Sequence, residues 1–327
     1  MNGSNPWLMA QNRAKQLSLP PEKRHATRIM FIIIAIFIIV MMGHMVMENE
    51  KKIARIPKKT ENTGKRIMVK AIFLDLDGTV HLDGKIIDGV SEVIKKLRTM
   101  GMQIFFWTNN SSKSRKEIME KLKVMDIDAE EEFIYSSGYA LAQYVKERLP
   151  GMSVYCISDG GIQAELTASG ILVSENQTAD IVAVGLDRTF SYTKLEHANN
   201  ALEKGAIFIA TNQDETIPTP EGPKPGAGSI VAALAKASGK IPYLIGKPSP
   251  YMLNLALKEH KIKKTEAIIV GDKLDTDILA AKKAGIASVL VLTGVTKKQD
   301  VKMNKKIKPD FVINSLKDIP RILSNRG

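Results

Sequence analysis

Downstream of residue 68 the chain alternates short, continuous apolar runs with stretches in which apolar positions recur every three or four residues. Ala71-Ile72-Phe73-Leu74 is a run of the kind shown by a strand buried on both faces. Residues Ile86–Met100 then place Val90, Val93, Ile94 and Leu97 at helical spacing, with Gly101 as a stop signal. Gln103-Ile104-Phe105-Phe106-Trp107 predicts a second buried strand, and strand, helix, strand implies a parallel βαβ unit. The same alternation returns near the C-terminus: strand Ala267–Val270, helix Thr276–Ala284, strands Ser288–Leu292 and Phe311–Ile313. Between these halves runs a second series: strand Val154–Ile157, helix Ile162–Ala168, strand Ile181–Val184, helix Tyr192–Glu203 and strand Ala206–Ala210. The pattern therefore predicts an α/β core, residues 68–148 and 241–327, interrupted by a smaller inserted α/β domain at 149–240.

Upstream the pattern changes. From Ile29 to Met47 nineteen residues are almost all apolar, broken only by Gly43 and His44. As a helix this stretch would be about 28 Å long, close to the thickness of a bilayer's hydrocarbon core. It predicts one transmembrane helix over 28–47, preceded by a basic segment (1–27) and followed by a charged linker (48–67) without apolar periodicity. No small-residue cleavage pattern follows it at Met45-Val46-Met47-Glu48, so the reading is an anchor and not a removed signal. The Lys and Arg residues beyond the span outnumber those before it, which leans toward a cytoplasmic C-terminal side. Met68-Val69-Lys70 also reads as a second start, which would yield a soluble cytoplasmic product.

Charge changes the picture less than its total suggests. The formal net charge is +12, but residues 1–67 hold twelve Lys/Arg against four acids and so carry +8 of it. The rest has no basic run interleaved with aromatics, which argues against nucleic acid as a partner. Cys156 is the only cysteine, which excludes an internal disulfide and a zinc site built from cysteine pairs. In Val154-Tyr155-Cys156-Ile157 it reads as a small core residue.

The candidate chemistry lies where apolar runs end. Asp75-Leu76-Asp77-Gly78-Thr79 directly follows the first strand, at the carboxyl end where open α/β sheets hold their ligands. Side chains two apart on a strand point the same way, so Asp75 and Asp77 can face one pocket while Gly78 turns the chain. Two acids so close repel unless a cation or a proton joins them. Taken alone, the pentapeptide also admits the reading of an acidic strand end leading into a turn. His81, nearby, reads as a polar turn residue and is left outside the site.

Three further elements follow in order: Thr108-Asn109-Asn110, Gly246-Lys247-Pro248, and Gly271-Asp272 with Asp277. The inserted segment adds Val184-Gly185-Leu186-Asp187, Ala210-Thr211-Asn212-Gln213-Asp214 and Pro225-Gly226-Ala227-Gly228-Ser229. With these, residues 69–320 resemble the haloacid dehalogenase superfamily phosphatases, in the subfamily IIA branch that holds NagD and the p-nitrophenyl phosphatases. The sequence departs from that pattern at Gln213, where Pro is frequent, and at Lys273, where Arg or Asn is common.

The resemblance implies a Rossmann-like core with a C2-type cap and a Mg²⁺-dependent phosphatase of small phosphate monoesters. Asp75 would be the nucleophile, and Asp77 the general acid and then base, oriented by Thr79. Thr108 and the Asn109 main-chain N–H would bind the phosphoryl group beside the Gly78 turn, with Lys247 supplying a point charge. Mg²⁺ would be held by Asp75, the Asp77 main-chain carbonyl and Asp272, with Asp277 holding a metal-bound water or Lys247. Asp277 also suits the first turn of a helix, and Thr108 an N-cap. The implied partner is a small phosphorylated metabolite, with a homo-oligomer through the cap as a further association. Alternatives are a phosphotransferase using the same intermediate and a membrane-tethered, non-catalytic binding protein.

Overall fold

The computed structural model describes residues 69–324 apart from 83, 176, 177, 218 and 220. The expected basic segment, transmembrane helix and linker all lie outside the described residues. Among the described residues no helix is long and apolar enough to cross a membrane.

Six parallel strands form the first sheet, in the order Phe311–Ile313, Ala287–Val291, Ala267–Gly271, Ala71–Asp75, Gln103–Thr108, Ile134–Ser136. Its central strand shows why the opening run is apolar throughout. Ala71 and Phe73 enter one hydrophobic cluster and Ile72 and Leu74 the opposite one. From Ala71–Asp75 the chain builds outward in one direction, then returns to the other side at Ala267–Gly271. The crevice at such a reversal, outside the carboxyl ends of the strands, is the place where open α/β sheets bind ligands.

The second sheet has five parallel strands, in the order Tyr243–Leu244, Ile207–Ala210, Ile181–Val184, Val154–Ile157, Val173–Ser174. Pairing of Tyr243–Leu244 with Ile207–Ala210 carries this sheet past residue 240, where the apolar pattern had put the end of the insert. One face of the sheet packs on helices Tyr192–Glu203 and Ala227–Ser238. The other face shares a hydrophobic cluster with the first sheet: Phe73 and Phe105 join Leu141, Val145 and Ile162, which join Ile181 and Ile209.

Several elements differ from the sequence pattern. The helix expected over 86–100 is Val90–Thr99, because Ile86 is taken into a short antiparallel ribbon, His81–Leu82 with Lys85–Ile86. The helix expected from Thr276 is a turn of π-helix, Leu274–Ile278, running into Leu279–Ala284. The helix that follows Gln103–Thr108 is Arg115–Val124, capped by Ser114 in a capping box with Glu117, and not by Thr108. Cys156 is partly buried against the core cluster, and desolvation there pushes its thiol up to about 12.

Candidate active site

Three neighbouring strand tips meet at the reversal point. Ala71–Asp75 ends in Asp75, Gln103–Thr108 ends in Thr108, and Ala267–Gly271 delivers Asp272, the next residue. Asp75 lies opposite Trp107, and Val270 opposite Leu74, so the register puts Thr108 and Asp272 level with each other, one residue beyond Asp75. Lys247 enters from the loop after Tyr243–Leu244, and its ammonium is ion-paired with Asp75 and, at 2.7 Å, with Asp277 Oδ1. The same ammonium lies 4.3 Å from the centre of the Trp107 ring. Asn109 Oδ1 accepts the Lys247 main-chain N–H at 2.7 Å, which fixes where the lysine leaves the backbone.

Asp277 is placed by the π-helical turn. Its Oδ2 accepts the main-chain N–H groups of Asp272 (3.1 Å) and Lys273 (3.0 Å), leaving Oδ1 for the lysine. Gly271 is required here, since a Cβ would run into the Asp277 carboxylate. Gly78 has φ +84°, a left-handed conformation that a side chain disfavours, and a Cβ on it would meet the Asp272 carboxylate.

The charges do not balance. Asp75, Asp272 and Asp277 are all buried, with carboxylate oxygens within 4.8 Å of one another, and Lys247 is the one buried lysine among the described residues. Burial, first, raises the Asp75 pKa well above 3.8; Lys247 opposes this, while Asp277 and Asp272 add to it. Asp272 is pushed up to about 6 by burial and then by Asp277. Burial alone would pull Lys247 down, but Asp277 and Asp75 more than reverse this and hold it above its ordinary value. Asp272 Oδ2 accepts the Val295 main-chain N–H at 2.6 Å, whereas Oδ1 is buried without a hydrogen-bond partner among the described residues. Surplus negative charge, hard oxygen donors and an orphaned carboxylate oxygen are what a divalent cation such as Mg²⁺ fits.

A cavity of about 500 Å³ opens over this cluster. It is lined by Asp75, Asp77, Gly78, Thr108, Asn109, Lys247, Asp272 and Asp277, so every expected site residue but Thr79 faces it. Thr79 is buried, and its hydroxyl has no hydrogen-bond partner among the described residues, so it does not orient Asp77 here. The Asp77 side chain is 62% exposed, unlike the buried Asp75. Thr108 Oγ1 accepts the Asn110 N–H at 3.1 Å, which leaves its proton for a ligand. Leu186, Arg188, Asn212 and Asp214, in loops that follow strands of the second sheet, also line the cavity, with Ile217 of the short ribbon Thr216–Ile217/Lys224–Pro225 and Thr219 just beyond it.

His81 corrects the sequence reading. It is not a polar turn residue outside the site but a buried residue of the strand His81–Leu82 that lines the cavity and holds Nδ1 3.5 Å from Asp77 Oδ1. Spacing along the sequence gave no sign of its Lys121 neighbour, whose Nζ lies 3.0 Å from His81 Nε2.

Comparison with known proteins agrees with this geometry. Residues 72–172 match the family model described as haloacid dehalogenase-like hydrolase, and residues 244–319 match a related model of the same hydrolases. An acid sugar phosphatase of Staphylococcus aureus (strain USA300) is 37% identical over 249 residues, covering 76% of this chain and 96% of the relative. The structure of a 4-nitrophenylphosphatase from Thermotoga maritima superposes with a TM-score of 0.74 at 33% identity, covering 78% of this chain and 98% of that one. A glycerol phosphate phosphatase from Mycobacterium tuberculosis, solved in complex with magnesium, gives a TM-score of 0.73 at 32% identity, with 78% of both chains covered.

Proposed function

The chain belongs to the haloacid dehalogenase-like hydrolases and acts on phosphoric monoester bonds, and from that premise we propose that it is a Mg²⁺-dependent phosphatase working through an aspartyl-phosphate at Asp75. The observation that carries this reading is the pairing of a buried, lysine-bound Asp75 with an exposed Asp77 over one cavity. The non-catalytic alternative is set aside, because the relatives are phosphatases.

Asp75 attacks phosphorus, the ester P–O bond breaks, and the departing alkoxide takes the proton of the Asp77 carboxyl. Asp77, now a carboxylate, removes a proton from a water that attacks the acyl phosphate, releasing inorganic phosphate and restoring Asp75. Burial and the Lys247 pairing leave Asp75 one fixed orientation, whereas exposure lets Asp77 reach leaving groups of different shape. Lys247, the Thr108 hydroxyl and the Asn109 main-chain N–H receive the phosphoryl oxygens. Magnesium would be held by Asp75, the Asp77 main-chain carbonyl and Asp272, with Asp277 behind, and it supplies positive charge against the phosphate and the surplus acids.

The substrates are small phosphate monoesters, such as those of sugars, glycerol, nucleotides or p-nitrophenol. We also place the enzyme at a membrane through residues 28–47, with the catalytic unit on the cytoplasmic side, and in solution when translation starts at Met68. Asp75→Asn should abolish p-nitrophenyl phosphate turnover while leaving Tm near the wild-type value. Wild-type turnover in that variant would overturn the mechanism, and EDTA should stop the parent enzyme.

A further inference from the structure

The general-acid assignment leaves one question open: what aims an exposed carboxyl at the leaving group. Asp77 sits in a tight turn in which the Gly78 N–H donates to the His81 carbonyl at 2.8 Å and the His81 N–H donates to the Leu76 carbonyl at 3.0 Å. That turn brings the His81 ring back over Asp77, Nδ1 to Oδ1 at 3.5 Å. Among the described residues the Asp77 carboxylate has no other ion-pair partner. On the far side of the ring, Nε2 lies 3.0 Å from Lys121 Nζ. Lysine's ammonium has protons to give and no lone pair to accept with, so Nε2 must be the acceptor. The neutral imidazole therefore carries its proton on Nδ1, the nitrogen that faces Asp77.

We propose that His81 is a positioning residue for Asp77, fixed in its Nδ1–H tautomer by Lys121, and that the pair aims the Asp77 carboxyl at the leaving group. The Nδ1–H, in ion-pair range of Oδ1 at 3.5 Å, closes on that oxygen when substrate is bound, which leaves Oδ2 to carry the proton into the cavity. When that proton passes to the leaving oxygen, the Nδ1–H stays in place and faces the new carboxylate. His81 itself neither gains nor loses a proton. The inference rests on the reading of Asp77 as general acid, so its test includes a variant of that residue.

The test is kcat for an alkyl ester, glycerol phosphate, and an aryl ester, p-nitrophenyl phosphate. Protonation matters greatly for an alkoxide and little for the stabilised nitrophenolate. His81→Phe and Lys121→Met should each lose about tenfold on the alkyl ester, a fraction of the about 10²–10⁴ that general acid catalysis supplies. Both should lose less than about threefold on the aryl ester. His81→Asn, whose amide can stand in for Nδ1–H, should recover most of the alkyl activity. Lys121 is an exposed position, so its variant keeps the test usable if His81→Phe folds poorly. Equal losses on both esters, or no loss on either, would overturn the positioning role. Asp77→Asn serves as the control: a large alkyl-over-aryl loss there, absent in the His81 and Lys121 variants, refutes the positioning pair alone. If Asp77→Asn shows no such split, the acid assignment fails and this inference fails with it.

Discussion

At the scale of single residues, the site is defined by an excess of buried negative charge that one lysine does not cancel. Asp272, pushed up to about 6 by burial and then by Asp277, gives this excess a measurable pH dependence. A carboxyl whose pKa rises on folding binds its proton more tightly in the native state than in the unfolded chain. Its contribution to metal-free stability is thus full below the ordinary carboxylate value of 3.8 and is lost as pH climbs through about 6. Magnesium held there as proposed would compete with that proton. The rise in Tm on adding magnesium should therefore be larger at about pH 7.5 than at about pH 5. Equal gains at the two pH values would mean that Asp272 is not a ligand. The acids, Thr108 and Lys247 were legible in the sequence because each follows an apolar run in a recognisable short motif. His81 was not, because its meaning comes from Lys121, forty positions away and carrying no motif of its own.

Elements carry the site through contacts between the two sheets' layers, and here the sequence was a weaker guide. The strand Tyr243–Leu244 is only two residues long, too short for periodicity to register. The π-helical turn at Leu274–Ile278 has no pattern distinct from an ordinary helix start, yet it aims Asp277 at both Lys247 and the Asp272 backbone. A further clamp joins helix Arg115–Val124 to helix Gly161–Ala168. Glu165, buried, accepts the Arg115 main-chain N–H at 2.6 Å and lies 3.4 Å from Arg115 Nε, placing an anion at a helix N-terminus. The Arg115 guanidinium in turn lies 3.6 Å from the centre of the Tyr139 ring. Glu165→Gln replaces an acceptor by a half-donor amide and removes the charge. A loss of about 1–3 kcal/mol is expected, read as a Tm fall of about 2–4 °C for each kcal/mol. An unchanged Tm would show that the clamp contributes nothing.

Over the whole molecule, the described residues carry a continuous hydrophobic cluster from Phe73 and Phe105, through Leu141 and Ile162, to Ile181 and Ile209. A sheet that shares its core with the catalytic sheet cannot swing far without exposing that surface. The catalytic unit is thus complete in its own packing, and a membrane anchor would set its location and not its chemistry. Two proteins test this: the full 327-residue chain and one beginning at Met68. The full chain should sediment with membranes and resist a carbonate wash, because nineteen nearly continuous apolar residues match a bilayer's thickness. The Met68 form should stay in the supernatant, and both should show the same kcat/KM on p-nitrophenyl phosphate. Recovery of the full chain in the supernatant would remove the anchor from the proposal. A lower kcat/KM for the Met68 form would show that the N-terminal segment contributes to the catalytic unit.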